Sequence, residues 1–60
     1  MLSTRERQVF NYIKMGYTDK EIAKKLKLSV HTVNIFVSRG LKKLGAKNRV
    51  QAVSLLSGLD

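Results

Sequence analysis

The sequence predicts an all-α domain built from four helices. Apolar residues recur at three- and four-residue spacing along most of the chain, which is the period of a helix with one buried face. The chain contains no proline, and its glycines other than Gly40 fall where these periodic segments end. No segment shows the strict alternation of a strand, and 60 residues suffice for one domain only.

The first helix is predicted over about residues 4–15. Ser3 and Glu6 have the spacing of a capping box, in which each side chain accepts a hydrogen bond from the other residue's backbone N–H. Gly16 stands where a left-handed cap would end the helix. The apolar positions at helical spacing are Val9, Phe10 and Ile13.

The second helix is predicted over about residues 19–26, and it is short. Thr18 and Glu21 form another capping box at its start. Its inner face consists of Ile22, Ala23 and Leu26.

The third helix is predicted over about residues 30–44, with Ser29 as its N-cap and Gly45 after its end. Its inward positions are Val33, Phe36, Val37, Leu41 and Leu44, with Gly40 on the same face. Glycine inside a helix costs up to about 1 kcal/mol relative to alanine. Either close packing at Gly40 offsets that cost, or the domain is weak.

The last helix is predicted over about residues 49–57, between a box-like start at Asn48 and Gln51 and a stop at Gly58. The inward stripe is predicted to be Ala52, Val53, Leu55, Leu56 and Leu59. On the opposite face, small uncharged residues lie in one row: Val50, Ser54 and Ser57. We expect this row to contact the same helix of a second copy, because a two-fold contact needs only one patch. A low-charge surface without a partner is the alternative.

The connection between the second and third helices predicts a helix-turn-helix. Two or three residues cannot return a helix antiparallel, so the two helices must cross steeply. Ala23 is small enough to let them approach closely, and Leu28 supplies an apolar anchor for the turn. Lys27 stands where many such turns carry glycine, so we expect that turn variant not to be used here.

The charge of the chain favours an anionic partner. Twelve basic and four acidic residues give a net charge of +8. No acid occurs from Ile22 to Leu59, whereas that range holds Lys24, Lys25, Lys27, Arg39, Lys42, Lys43, Lys47 and Arg49. A solvated basic surface that only maintains solubility is the alternative, although such surfaces usually mix both signs.

The chain lacks the residues that several classes of function need. With no cysteine and one histidine, we expect no disulfide, no metal site and no cofactor. Most of the acids lie in first helical turns, where backbone N–H groups explain them, and no nucleophile–histidine–acid set is present, so we expect no enzyme. We also expect no membrane segment and no signal peptide, and hence a cytoplasmic protein.

In a helix-turn-helix, the third helix enters the major groove with its N-terminal half. The outward residues there are His31, Thr32, Asn34, Ile35 and Ser38, followed one turn later by Arg39 and Lys42. Asn34 can bond bidentately to adenine, and Ile35 suits a thymine methyl group. Surface isoleucines are also common without any partner. His31 is either a base or phosphate contact or an ordinary surface residue.

Segments spread over nearly the whole chain match the pattern of a known family at fixed spacing. They are Leu2 to Arg7 with Val9, Gly16 to Ala23, Leu26, Leu28 and Ser29, Thr32 and Val33, Lys43 to Gly45, and Arg49, Ala52 and Val53. In these positions the chain resembles the LuxR-type, or GerE-like, DNA-binding domain, which occurs at the C-terminus of many bacterial regulators.

The resemblance implies a tetra-helical domain that binds double-stranded promoter DNA as a homodimer. The dimer contact would lie in the last helix and could form only on DNA, and RNA polymerase is a candidate further partner. By position, bases would be contacted by Asn34, Ile35 and Ser38, to which we add His31. Phosphates would be contacted by Thr18, Lys20, Thr32 and Arg39, to which we add Lys42. The family often has lysine or arginine where Asn34 stands, histidine where Phe36 stands and a large aliphatic residue where Gly40 stands.

We therefore expect a sequence-specific transcription regulator, or its C-terminal output domain, that acts in the bacterial cytoplasm and joins the nucleoid when bound to DNA. A promoter-binding domain of the sigma-factor type is one alternative, and the uncharged face of the last helix argues against it. A basic module for an acidic protein or a membrane surface is another. A membrane-binding helix would leave a bulky apolar face exposed, whereas here a neighbouring helix is expected to cover each stripe.

Overall fold

The computed structural model describes residues 1–57, and four helices lie in that range. They are α1 (Thr4–Lys14), α2 (Asp19–Leu26), α3 (Val30–Leu44) and α4 (Arg49–Ser57). The all-α prediction is confirmed, with one boundary corrected: α1 ends at Lys14 because the N–H of Met15 already closes its last turn as the cap. The described residues contain no strand, and Gly58 and Leu59, predicted as a stop and an inward residue, lie outside them.

Reciprocal hydrogen bonds begin α1 and α2, as their sequences predict. The Ser3 hydroxyl accepts from the Glu6 N–H at 3.2 Å, and the Glu6 carboxylate accepts from the Ser3 N–H at 2.9 Å. Thr18 and Glu21 make the same pair of bonds at 3.2 and 2.8 Å. These bonds satisfy backbone donors that have no partner inside a helix.

The starts of α3 and α4 are also capped, although the second cap differs from the prediction. Ser29 Oγ accepts from the Thr32 N–H at 3.0 Å. Asn48 Oδ1 accepts from the Gln51 N–H at 2.8 Å. The Gln51 side chain, however, accepts from the N–H of Lys47 and not from that of Asn48. The reciprocal box at α4 is therefore displaced by one residue.

The core lies around α3, because α1, α2 and α4 all pack against it. The large side chains that are fully buried come from three of the helices: Val9, Phe10, Ile22 and Val33. Leu2, Ala23, Val37 and Ala52 complete the buried apolar set, and Ala52 is the only member from α4. α4 thus buries fewer residues than any of the other three helices.

Helices α1 and α3 approach most closely at Gly40. A Cβ atom built on Gly40 would lie 2.2 Å from Cε2 of Phe10, and the Phe10 ring is fully buried. Two carbon atoms that are not bonded to each other do not approach so closely, so a side chain here would force the ring or the helix to move. Close packing therefore explains the glycine, as the first of the two alternatives requires.

A buried carboxylate joins the same two helices farther along. Glu6 is 2% exposed, and its Oε1 accepts from Lys43 Nζ at 2.9 Å. The Ser3 N–H and the Lys43 ammonium both lower the pKa of Glu6. Glu6 meets Lys43 while Phe10 meets Gly40, so α1 runs antiparallel to α3. The start of α1 therefore lies beside the C-terminal end of α3 and away from residues 31–35.

Candidate nucleic-acid interface

The turn between α2 and α3 consists of residues 27–29, which confirms the predicted short connection. The Leu28 N–H donates to the Ala23 carbonyl at 2.8 Å, and Leu28 packs against the core as the expected anchor. Lys27 adopts the left-handed conformation, with φ 58° and ψ 45°. The expectation that this chain avoids the glycine-type turn is therefore wrong. The chain must leave α2 within a single residue, and the left-handed cap achieves this even with lysine.

Helix α3 separates its residues cleanly into two faces. Val33, Val37 and Gly40 are buried against the other helices, and Phe36, Leu41 and Leu44 pack beside them. Thr32 is half-buried. The opposite face is exposed and carries His31, Asn34, Ile35, Ser38, Arg39 and Lys42. The predicted inward set is confirmed, and so is the outward set except for the half-buried Thr32. Ile35 is 37% exposed.

Two threonine hydroxyls lie at helix starts on either side of this turn. Thr18 Oγ1 accepts from the Glu21 N–H, and Thr32 Oγ1 accepts from the Ser29 hydroxyl at 2.9 Å. Each hydroxyl is used as an acceptor and keeps its own hydrogen for a further bond. Lys20 is exposed in the first turn of α2, close in sequence to Thr18. Lys20 and the two hydroxyls can donate to an anion while the hydroxyls keep the bonds that they accept.

Arg49, the first residue of α4, connects three helices. Its Nη1 donates to Oδ1 of Asp19, and its Nη2 donates to Oδ2 of Asp19 at 2.7 Å. The same Nη2 also donates to Oδ1 of Asn34 at 3.2 Å. The hydrogen bonds from Arg49 lower the pKa of Asp19. Sequence analysis missed this cluster, because its members are 30 and 15 residues apart and no local pattern links them.

The inward face of α4 is narrower than the sequence predicts. Ala52 is buried and Leu56 packs against the core, one helical turn apart. Leu55, predicted to face inward, is instead 48% exposed. It lies three residues after Ala52 and one before Leu56, and a short helix against a small core covers only one narrow stripe. Val53 is half-buried and lines an open groove of about 260 Å³.

The predicted contact row of α4 is largely exposed. Val50 is 80% exposed and Ser54 is exposed, whereas Ser57 is half-buried. Val50 also lines the groove with Ile13, Arg49 and Val53. Val50 and the 48% exposed Leu55 therefore give α4 two exposed apolar side chains.

Residues 1–57 contain no group of three histidine, cysteine, aspartate or glutamate residues able to bind a metal ion. None of the helices in that range is both long enough and apolar enough to cross a membrane.

Comparison with known proteins identifies the family. Residues 1–56 match the model of the bacterial regulatory proteins of the luxR family. The chain belongs to this family. Its four helices, with a three-residue turn between α2 and α3, are consistent with the helix-turn-helix of the family. It is a DNA-binding transcription-regulator domain.

The curated relatives differ in how much of their own length the domain covers. The spore germination protein GerE of Bacillus subtilis is 45% identical over 53 residues, which are 88% of this chain and 72% of GerE. The transcriptional activator SolR of Ralstonia solanacearum is 47% identical over 53 residues, 88% of this chain and 22% of SolR. The CsgBAC operon regulatory protein of Escherichia coli is 39% identical over 54 residues, 90% of this chain and 25% of that protein. The chain thus spans most of GerE and about a quarter of the other two.

Proposed function

We propose that this luxR-family domain recognises specific sequences in double-stranded promoter DNA by placing α3 in the major groove. The observation that carries the proposal is the clean division of α3. Its buried face fixes the helix to the core, while His31, Asn34, Ile35 and Ser38 remain exposed on the other side. Helices presented in this way insert their N-terminal half into the groove. An asparagine beside an exposed isoleucine can contact base edges and a thymine methyl group.

Contacts to phosphates would surround this reading face. Lys20, Arg39 and Lys42 are exposed cations, and Thr18 and Thr32 each keep a hydroxyl hydrogen. Lysines and arginines at such positions supply most of the affinity for DNA, and they fix the register of the helix without reading the sequence.

The salt dependence of binding tests this arrangement. With about four to six phosphate contacts per protomer, log K should fall against log salt with a slope of roughly −4 to −5. Lys20→Ala or Arg39→Ala should weaken binding to all sequences equally and reduce the slope by about 1. Arg7→Ala is the matched control, because Arg7 is an exposed cation that follows Glu6, the residue paired with Lys43 in the last turn of α3. An affinity that does not change with salt would exclude the proposal.

We also propose that two copies pair through α4 on adjacent half-sites. Val50 and Ser54 are exposed, Ser57 is half-buried, and the row carries no charge. The exposed side chain of Leu55 adds apolar area to the same helix. A two-fold contact needs only this one patch on each copy. A dimer bound at a promoter is within reach of RNA polymerase, which we propose as a further partner.

A charge on the row would break such a contact. Ser54→Glu should abolish cooperative binding to an operator with two half-sites while binding to a single half-site survives. The matched control is Asn11→Glu, which adds the same charge at an exposed position of α1. If Ser54→Glu still binds cooperatively, the dimer contact lies elsewhere. If both variants lose cooperativity equally, the loss comes from the change in net charge and not from a broken contact.

A further inference from the structure

Asn34 lies on the exposed face of α3, but its amide oxygen already has a partner. Arg49 Nη2 donates to Asn34 Oδ1 at 3.2 Å. The guanidinium group has donors only, so the amide atom that faces it must be the oxygen. The amide nitrogen of Asn34, with two N–H donors, is then the end directed away from Arg49.

The guanidinium group is itself held in place from the other side. Both oxygens of Asp19 accept hydrogen bonds from Arg49, in the bidentate geometry that fixes the guanidinium plane. Asp19 stands in the first turn of α2, which Thr18 caps, and Arg49 stands in the first turn of α4, where Asn48 accepts from the Gln51 N–H. Arg49 is therefore anchored independently of Asn34 and can impose an orientation on it.

This orientation changes which base Asn34 can read. A bidentate contact with adenine requires both the amide oxygen and the amide nitrogen, because adenine offers one donor and one acceptor in the major groove. Guanine offers two acceptors at N7 and O6, and cytosine offers a donor. With Oδ1 turned toward Arg49 and the amide nitrogen turned toward the groove, Asn34 offers two donors, which match the two acceptors of guanine. A bidentate contact with adenine would require the Oδ1 edge of the amide to turn toward the base as well.

We propose that Arg49 is a positioning residue for base recognition, which holds the Asn34 amide nitrogen toward the groove so that Asn34 selects guanine over adenine. The inference rests on the proposed function, in which α3 reads the major groove. It differs from what residue 34 alone suggests, since a free asparagine favours adenine.

The test compares binding to duplexes that differ at a single base pair. Selection from a random duplex pool gives the preferred site, and the pair read by Asn34 is the one at which Asn34→Ala loses its preference. We expect the unchanged protein to bind guanine there about tenfold more tightly than adenine. Asn34→Ala should bind both equally.

Two substitutions of Arg49 separate its positioning role from its charge. Arg49→Lys keeps the charge and can still pair with Asp19, but a single ammonium group cannot hold both partners. Arg49→Met removes the charge, and Lys47→Met is its matched control at a nearby exposed position. Both Arg49 variants should lose the guanine preference and shift toward adenine, whereas Lys47→Met should weaken all sites and keep the preference.

Each outcome decides the inference. A preference for adenine or cytosine in the unchanged protein overturns it and leaves DNA reading by α3 intact. A guanine preference that survives in folded Arg49→Lys and Arg49→Met also overturns it, as does an Asn34→Ala protein with unchanged base preference. If both Arg49 variants fail to fold by circular dichroism, the ratio of guanine to adenine binding in the unchanged protein decides. Binding without any sequence preference, or no binding to duplex DNA, overturns the proposed function itself.

Discussion

Helices α2 and α4 have similar lengths and similar local starts, yet they are used differently. α2 has 8 residues and α4 has 9, and Asp19 and Arg49 join their first turns. α2 buries Ile22 and Ala23, whereas α4 buries Ala52 alone and leaves Val50 80% exposed. The contrast shows that a capped helix with apolar side chains need not bury them in the core of its own domain. α2 supports α3, and α4 leaves exposed the uncharged row that we propose as its contact with a second copy.

The largest test of this contrast removes one apolar side chain from each helix. Ile22→Ala should lower the free energy of unfolding by about 2–5 kcal/mol, because Ile22 is fully buried and its loss leaves a cavity. Leu55→Ala should change it by only about 0.5 kcal/mol, because Leu55 is 48% exposed. Urea denaturation followed by circular dichroism measures both. Equal losses in the two variants would show that Leu55 belongs to the core.

A second test adds volume where α1 and α3 meet. Gly40→Ala should lower the free energy of unfolding by about 1–3 kcal/mol, because the new methyl group would collide with Phe10. This loss should exceed the gain of up to about 1 kcal/mol in helix propensity. Ser54→Ala on the exposed face of α4 is the control, and it should be neutral or slightly stabilising. A stabilised Gly40→Ala protein would mean that the Phe10 ring can move aside.

The third test uses pH to compare the ion pair of α1 and α3 with that of α2 and α4. The folded state lowers the pKa of Glu6 and of Asp19. Their contribution is therefore present above the unfolded pKa values, near 4.5 and 3.8, and is lost as the pH falls through the folded values. Glu6→Gln should be destabilised by about 1–2 kcal/mol at pH 7 and should match the unchanged protein near pH 2.

Asp19→Asn should show the same pH pattern with a smaller amplitude. The Asp19 side chain is 23% exposed against 3% for Glu6, so solvent screens its pair with Arg49 more strongly. Acid denaturation curves of the two variants give both amplitudes. A larger effect at Asp19 than at Glu6 would mean that α4 is bound to the rest of the domain more firmly than its burial indicates.

The smallest expected effect concerns Lys27, the left-handed residue that ends α2. Lys27→Gly should stabilise the domain by up to about 1 kcal/mol, because Lys27 is left-handed and a side chain in that conformation costs about 1–2 kcal/mol. This gain should exceed the roughly 0.5–1 kcal/mol by which glycine favours the unfolded chain through its greater conformational entropy. Lys24→Gly, inside α2, should instead destabilise by about 1 kcal/mol. Thermal unfolding of the two variants checks the opposite signs. If both lower the melting temperature, Lys27 is not strained.

Much of the fold could be predicted because its signals are local. Capping boxes and apolar spacing act within four residues, so Ser3, Thr18 and Ser29 predict helix starts that the structure confirms. The exposed face of α3 follows from the same periodicity. The left-handed conformation of Lys27 does not follow from its identity, because residue identity is a weaker signal than the requirement to end α2 within one residue.

The amino-acid sequence by itself determined the four helices, the short turn between α2 and α3 and the family to which the chain belongs. Only the tertiary structure decided what depends on residues distant in the chain. The approach of Phe10 to Gly40, the bond from Arg49 to Asn34 and the exposure of Leu55 all depend on how whole helices cross. Helix periodicity defines a face but not its width, and no local pattern states which side chain of a distant helix will lie opposite.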